Sequence, residues 1–94
     1  MTVSFASRAT VPSHVTSRRL DDELVLLNLD SESYFGLDAV GTRIWELISS
    51  SPTLAEAYRQ LLSEYDVTEA PLREDMEKLL AQLVDSGLIE LRPA

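Results

Sequence analysis

The sequence predicts an α+β fold in which a three-stranded antiparallel sheet comes first and three helices follow. Three observations carry that expectation. Residues 13–37 hold three short β-type runs separated by acidic-polar turns. Residues 38–87 hold three apolar stripes at helical spacing. The helical stripes open on capping residues or a first-turn proline. Strands grouped before helices, rather than alternating with them, point to α+β organisation.

The first strand is expected over Ser13–Leu20, with Val15 as its clearest apolar residue, after a polar start over residues 1–12 that reads as flexible. Asp21-Asp22 forms a turn, because short acidic side chains bond readily to nearby backbone amides. Leu24-Val25-Leu26-Leu27-Asn28-Leu29 is an apolar run of strand length, and Asp30-Ser31-Glu32-Ser33 is the next turn. Tyr34-Phe35-Gly36-Leu37 makes a short third strand, weakened by Gly36. Two short turns between three strands imply an antiparallel meander.

Asp38 caps a helix whose apolar face is Val40, Ile44, Leu47 and Ile48, ended by Ser49 to Pro52. Thr53 and Glu56 form a T-x-x-E capping box, and Leu54, Tyr58, Leu61, Leu62 and Tyr65 line one face behind it. A third helix follows Asp66-Val67-Thr68, with Pro71 in its first turn, where a missing amide hydrogen matters little. Its stripe is Leu72, Met76, Leu79, Leu80, Leu83 and Val84, and Gly87 stands where a left-handed C-terminal cap belongs. Leu88 to Leu91 fits either a final docked strand or a tail. This inventory is that of a winged helix-turn-helix-like domain with the sheet first. Ninety-four residues make a single domain over 1–94, since half that length would bury too small a core.

Composition narrows the function. No cysteine is present, which excludes disulfides, thiolate metal sites and cysteine nucleophiles. His14 is the sole histidine and reads as a surface or strand-edge residue, without convergent partners for catalysis. Glu74, Asp75 and Glu77 crowd the third helix without an EF-hand pattern, so they read as a solvated face and no metal site is expected. Gly36, Gly41 and Gly87 are too far apart to cradle phosphate, and no G-x-S-x-G elbow occurs. The expectation is no enzyme activity, no catalytic residues and no cofactor. Net charge is −8, with four basic and seven acidic side chains in residues 1–48 and four and nine in residues 49–94. A field of that sign repels nucleic acid and anionic membrane surfaces. A winged-helix reader would place the third helix in the major groove, yet residues 68–87 pair Arg73 and Lys78 against Glu69, Glu74, Asp75, Glu77 and Asp85. A transcription regulator is therefore the weaker reading. No segment reads as a signal peptide or a bilayer span, and the expected location is cytoplasmic.

The run from Val25 to Ile48 resembles the PqqD-like family, the recognition elements for ribosomally made, post-translationally modified peptides. The matching positions are Leu27, Asp30, Tyr34, Phe35, Leu37, Gly41, Ile44 and Trp45, with support from Thr53–Ala57, Leu61–Val67 and Leu83–Leu88. The likeness runs over about residues 14–91, and it is the ordered set, more than one motif, that is specific. Within the family, the Tyr34–Trp45 run looks most like the lasso-peptide branch. The resemblance implies a precursor's leader peptide bound as an added strand along the third strand and clamped by the third helix. It implies as further partners a cysteine leader peptidase and a cyclase. In the pyrroloquinoline quinone branch the module instead serves a radical SAM enzyme.

Physical reasoning from the residues agrees with strand addition. An edge strand offers unpaired amides and carbonyls, and Gly36 lets another backbone approach. The expected peptide-binding set is Ser33, Tyr34, Phe35, Gly36 and Leu37 on the strand, with Asp75, Met76, Leu79 and Leu83 on the third helix. Leu37 is expected inward and Tyr34 near the groove rim. Met76 is included because an unbranched side chain adapts to a guest. Asp75 is suited to a basic or hydroxyl group of the leader. Tyr34, Phe35, Met76, Leu79 and Leu83 equally fit ordinary core packing, while Gly41 and Trp45 read as structural.

Overall fold

The computed structural model describes residues 4–65 and 68–93. Its elements run β1 (Ser7–Thr10), β2 (Val15–Leu20), β3 (Glu23–Asn28), β4 (Ser33–Leu37), α1 (Ala39–Ser50), α2 (Leu54–Glu64), α3 (Glu69–Asp85) and β5 (Glu90–Pro93). The β2-β3-β4 strands form the expected antiparallel meander, with Leu26 opposite Phe35 and Leu24 opposite Leu37. Asp66 and Val67, which the sequence places just ahead of the third helix, lie outside the described residues.

One face of this sheet carries Leu24, Leu26 and Leu37 into the core, where they join Ile44, Ile48, Leu54 and Leu61 of the first two helices. The helix starts follow from local chemistry. Asp38 Oδ1 accepts from the Gly41 amide at 2.8 Å, and Thr53 Oγ1 accepts from the Glu56 amide at 3.2 Å. Gly41 packs so closely that an added Cβ would stand 3.2 Å from Leu37 Cδ2, and Trp45 is buried. Trp45 therefore packs as the large anchor the sequence suggests, whereas Gly41, besides its tight packing on Leu37, also borders the cleft beside β4.

The start of the chain differs from expectation. Residues 1–12 read as flexible, yet Ser7–Thr10 pair antiparallel with Glu90–Pro93 in a second, two-stranded sheet. The partner strand is remote in sequence, so no local pattern announces the pairing. It also resolves the end of the chain: Leu88 and Ile89 plug the core and a docked strand follows. Phe5 anchors the same segment. Its carbonyl accepts from the Ala55 amide at 2.9 Å, and its ring meets Tyr58 edge-on at 5.5 Å.

Helix α3 is pinned at both ends. At its start, Tyr58 Oη donates to the Glu69 carbonyl at 2.8 Å, and the Arg73 guanidinium lies 4.2 Å from the centre of the Phe5 ring. Burial raises the Tyr58 pKa, which keeps this donor protonated. At its end, Gly87 adopts φ 70°, and Asn28 Nδ2 donates to the Ser86 carbonyl at 2.9 Å. The Asn28 Oδ1 accepts from the amides of Asp30 and Ser31, so one buried side chain shapes the β3–β4 turn and holds the helix end.

An ion-pair chain crosses the helices: Arg19 bonds Glu46 at 2.7 Å, and Arg43 grips Glu64 through two bonds of 2.7 and 2.6 Å. Hydrogen bonds from Arg43 and then Gln60 hold the Glu64 carboxyl down at about 2, against an ordinary 4.5. A depressed carboxylate contributes stability above its unfolded value, and that contribution is lost as pH falls from about 4.5 toward 2. Glu64→Gln is therefore expected to flatten the decline of stability across that window. Urea midpoints at neutral pH and at about pH 2.5 test this, and equal slopes in variant and parent would contradict it.

Candidate functional site

The β4 strand ends the sheet, and α3 does not close over it. Between them lies an open cleft of about 470 Å³. The strand contributes Phe35, Gly36 and Leu37, the start of α1 contributes Val40 and Ile44, and α3 contributes Asp75, Leu79 and Gln82. The floor is apolar, through Phe35, Leu37, Ile44 and Leu79. The rim is polar, with Asp38, Asp75 and Gln82. Along the outer side of β4, no backbone hydrogen bond is formed among the described residues. An edge of five residues spans about 17 Å, which matches a guest strand of similar length.

The sequence-derived set divides on inspection. Phe35, Gly36, Leu37, Asp75 and Leu79 meet in the cleft. Leu37 is buried and inward, as expected, and supplies floor rather than rim. Asp75 is exposed and has no hydrogen-bond or ion-pair partner among the described residues, so its carboxylate is available to a ligand. Gly36 has nothing within 4 Å of where a Cβ would stand, so the chain by itself does not require glycine there.

Met76 and Leu83 belong elsewhere: both have no exposed surface and sit wholly in the core beneath the cleft. Tyr34 is 76% exposed and lies on the opposite face of the sheet, beside Thr16, Val25 and Leu27, rather than on the cleft rim. With Leu37 inward, strand alternation sends Phe35 inward and Tyr34 outward. Ser33 stands at the exposed start of β4, its hydroxyl 2.6 Å from that of Ser31, outside the cleft.

Asp38, Val40, Gly41, Ile44 and Gln82 line the cleft without having been singled out for it. A signal was present for Gln82, which follows Asp75 and Leu79 at i+7 and i+3 and so shares their helical face. Val40 was legible only as part of an apolar stripe, although an exposed valine in a first turn is less easily explained by the core.

Among the described residues, no group of three or more His, Cys, Asp or Glu could hold a metal ion. Among those same residues, no helix is long and apolar enough to cross a membrane. The cleft is thus equipped for backbone pairing, apolar contact and one or two charge contacts.

Comparison with known proteins points the same way. Residues 23–89 match the family described as coenzyme PQQ synthesis protein D (PqqD). A solved structure of TbiB1 in complex with the TbiA(beta) leader peptide is similar with a TM-score of 0.80 and 37% identity. That likeness covers 86% of this chain and 94% of the other. No curated protein matches. The family span takes in β3, β4 and all three helices, and therefore both walls of the cleft. The chain belongs to the PqqD family.

Proposed function

We propose that this chain is a non-catalytic recognition module that binds the leader of a ribosomally made precursor by adding it as a strand along β4, against α3. It then delivers that precursor to a leader peptidase and cyclase in lasso peptide biosynthesis. The observation that carries this reading is the unpaired β4 edge facing Asp75 and Leu79 across an open cleft. The 37% identity to TbiB1, whose structure holds a leader peptide, supports it.

Backbone bonds to an edge give affinity without sequence demands, and the apolar floor selects side chains at alternate guest positions. Asp75 then favours a basic or hydroxyl group at one of them.

Calorimetric titration with the leader of the precursor encoded beside this gene tests the proposal. Saturable one-to-one binding at micromolar strength or better, about −8 kcal/mol, is expected. Asp75→Asn keeps the shape and removes the charge, so the affinity should fall by about three- to tenfold, as for a partly exposed charge contact. No heat and no competition by the leader would refute the reading.

A second reading has the family description behind it: a partner of a radical SAM enzyme in a pyrroloquinoline quinone-like pathway. Titration against the two kinds of leader separates these branches. DNA reading has less support, because α3 is acidic and Arg19 is committed to Glu46 at 2.7 Å.

A further inference from the structure

The outer face of the β2-β3-β4 sheet is apolar and uncovered. Leu24 and Leu26 face the core they share with the helices, so Val25 and Leu27 project the other way, with Gly36 and Tyr34 opposite them on β4. Leu20 and Leu29 are 53% and 54% exposed beside them. A sheet wet on one side normally alternates apolar-in with polar-out; β3 is instead apolar on both sides, the pattern of a strand covered twice. The face is also shaped, with a depression of about 450 Å³ bordered by Thr16, Arg18, Leu20, Val25, Leu27 and Tyr34. The bare Cα of Gly36 leaves it open on the β4 side.

Charge decides what can cover it. Exposed acidic turns frame the face, Asp21, Asp22 and Glu23 at one end and Asp30 and Glu32 at the other. A second copy would bring two such frames together, each on a chain of net charge −8. Arg18 stands on the β2 side between those ends, so the complementary surface is an apolar centre with cations at its two ends and none against Arg18. The face is separate from the cleft, which opens on the edge of β4 toward α3.

We propose that this outer sheet face docks a partner protein presenting an apolar patch flanked at two ends by lysine or arginine. Resting on the function proposed above, that partner is the enzyme that acts on the delivered leader, held while the cleft is occupied.

The test uses the full chain, the leader, and the leader-removing enzyme encoded beside it. Leu20→Asp and Leu27→Thr are compared with the parent, folding being checked by circular dichroism. Leu20 is more than half exposed, so its substitution spares the fold. Enzyme affinity should fall at least about tenfold for Leu20→Asp, since a charge is buried in an apolar contact. Leader affinity should stay within about twofold, and parental enzyme binding should weaken with salt. Unchanged enzyme affinity in both variants, or no enzyme binding by the parent, would overturn the proposal. So would a parallel loss of leader affinity, or sedimentation showing a parental dimer that Leu20→Asp dissolves. A parent that binds the enzyme through this face yet takes no leader would sink the leader reading and leave the docking surface standing.

Discussion

Leu79→Glu is expected to weaken leader binding about 100-fold, close to 3 kcal/mol, while the fold survives. Leu79 is only partly buried in the free chain, on the cleft floor between Asp75 and Gln82. A guest strand would cover it completely. The glutamate would then be desolvated without a partner, one turn from a carboxylate already on the same face. In the free protein the same side chain can bend into water, so the unfolding free energy should change by no more than about 1 kcal/mol. Calorimetry on the variant, paired with a urea midpoint, separates the two quantities. Full-strength binding by a folded Leu79→Glu protein would remove the cleft floor from the site.

Met76→Ala should do the reverse. Met76 has no exposed surface, and its truncation leaves a cavity among core side chains rather than an altered cleft wall. The expected loss is about 2–5 kcal/mol of unfolding free energy, a large fraction of what a domain of this size holds. For a chain near this length, that lowers the thermal midpoint by at least about 8 °C. Leader affinity of the folded fraction should move much less than in Leu79→Glu, because the cleft lining does not include Met76. A Met76→Ala protein of parental stability that loses the leader would restore this residue to the groove.

These neighbours on α3 show where sequence reasoning stops. Periodicity identifies the stripe Leu72, Met76, Leu79, Leu80, Leu83 and Val84, but a stripe is wider than the strip of helix that a sheet covers. Leu72, Met76, Leu80 and Leu83 point into the core, and Leu79 stands at its margin. Which margin borders the cleft depends on how α3 is rotated, and remote contacts with Phe5, Tyr58 and Asn28 set that rotation. The meander and the helix starts were legible because their causes are local: acidic turn residues, Asp38 and Thr53 as caps, Gly87 as a left-handed terminus. Strand β1 was not, because Ser-Arg-Ala-Thr carries one buried residue, Ala9, and owes its conformation to Glu90–Pro93. For β4 the inward direction of Leu37 was legible, but Tyr34, expected near the groove rim, lies on the outer face to which strand alternation sends it.

Amide hydrogen exchange of the chain with and without the leader tests the central claim most directly. Among the described residues three other strand edges compete with β4, namely that of β2 and those of the β1–β5 pair. Strand addition along β4 predicts new protection within Ser33–Leu37, shifted resonances at Asp75, Leu79 and Gln82, and no change along β2 or β1–β5. Protection gained at β2 or at the β1–β5 pair, with Ser33–Leu37 exchanging as before, would contradict it.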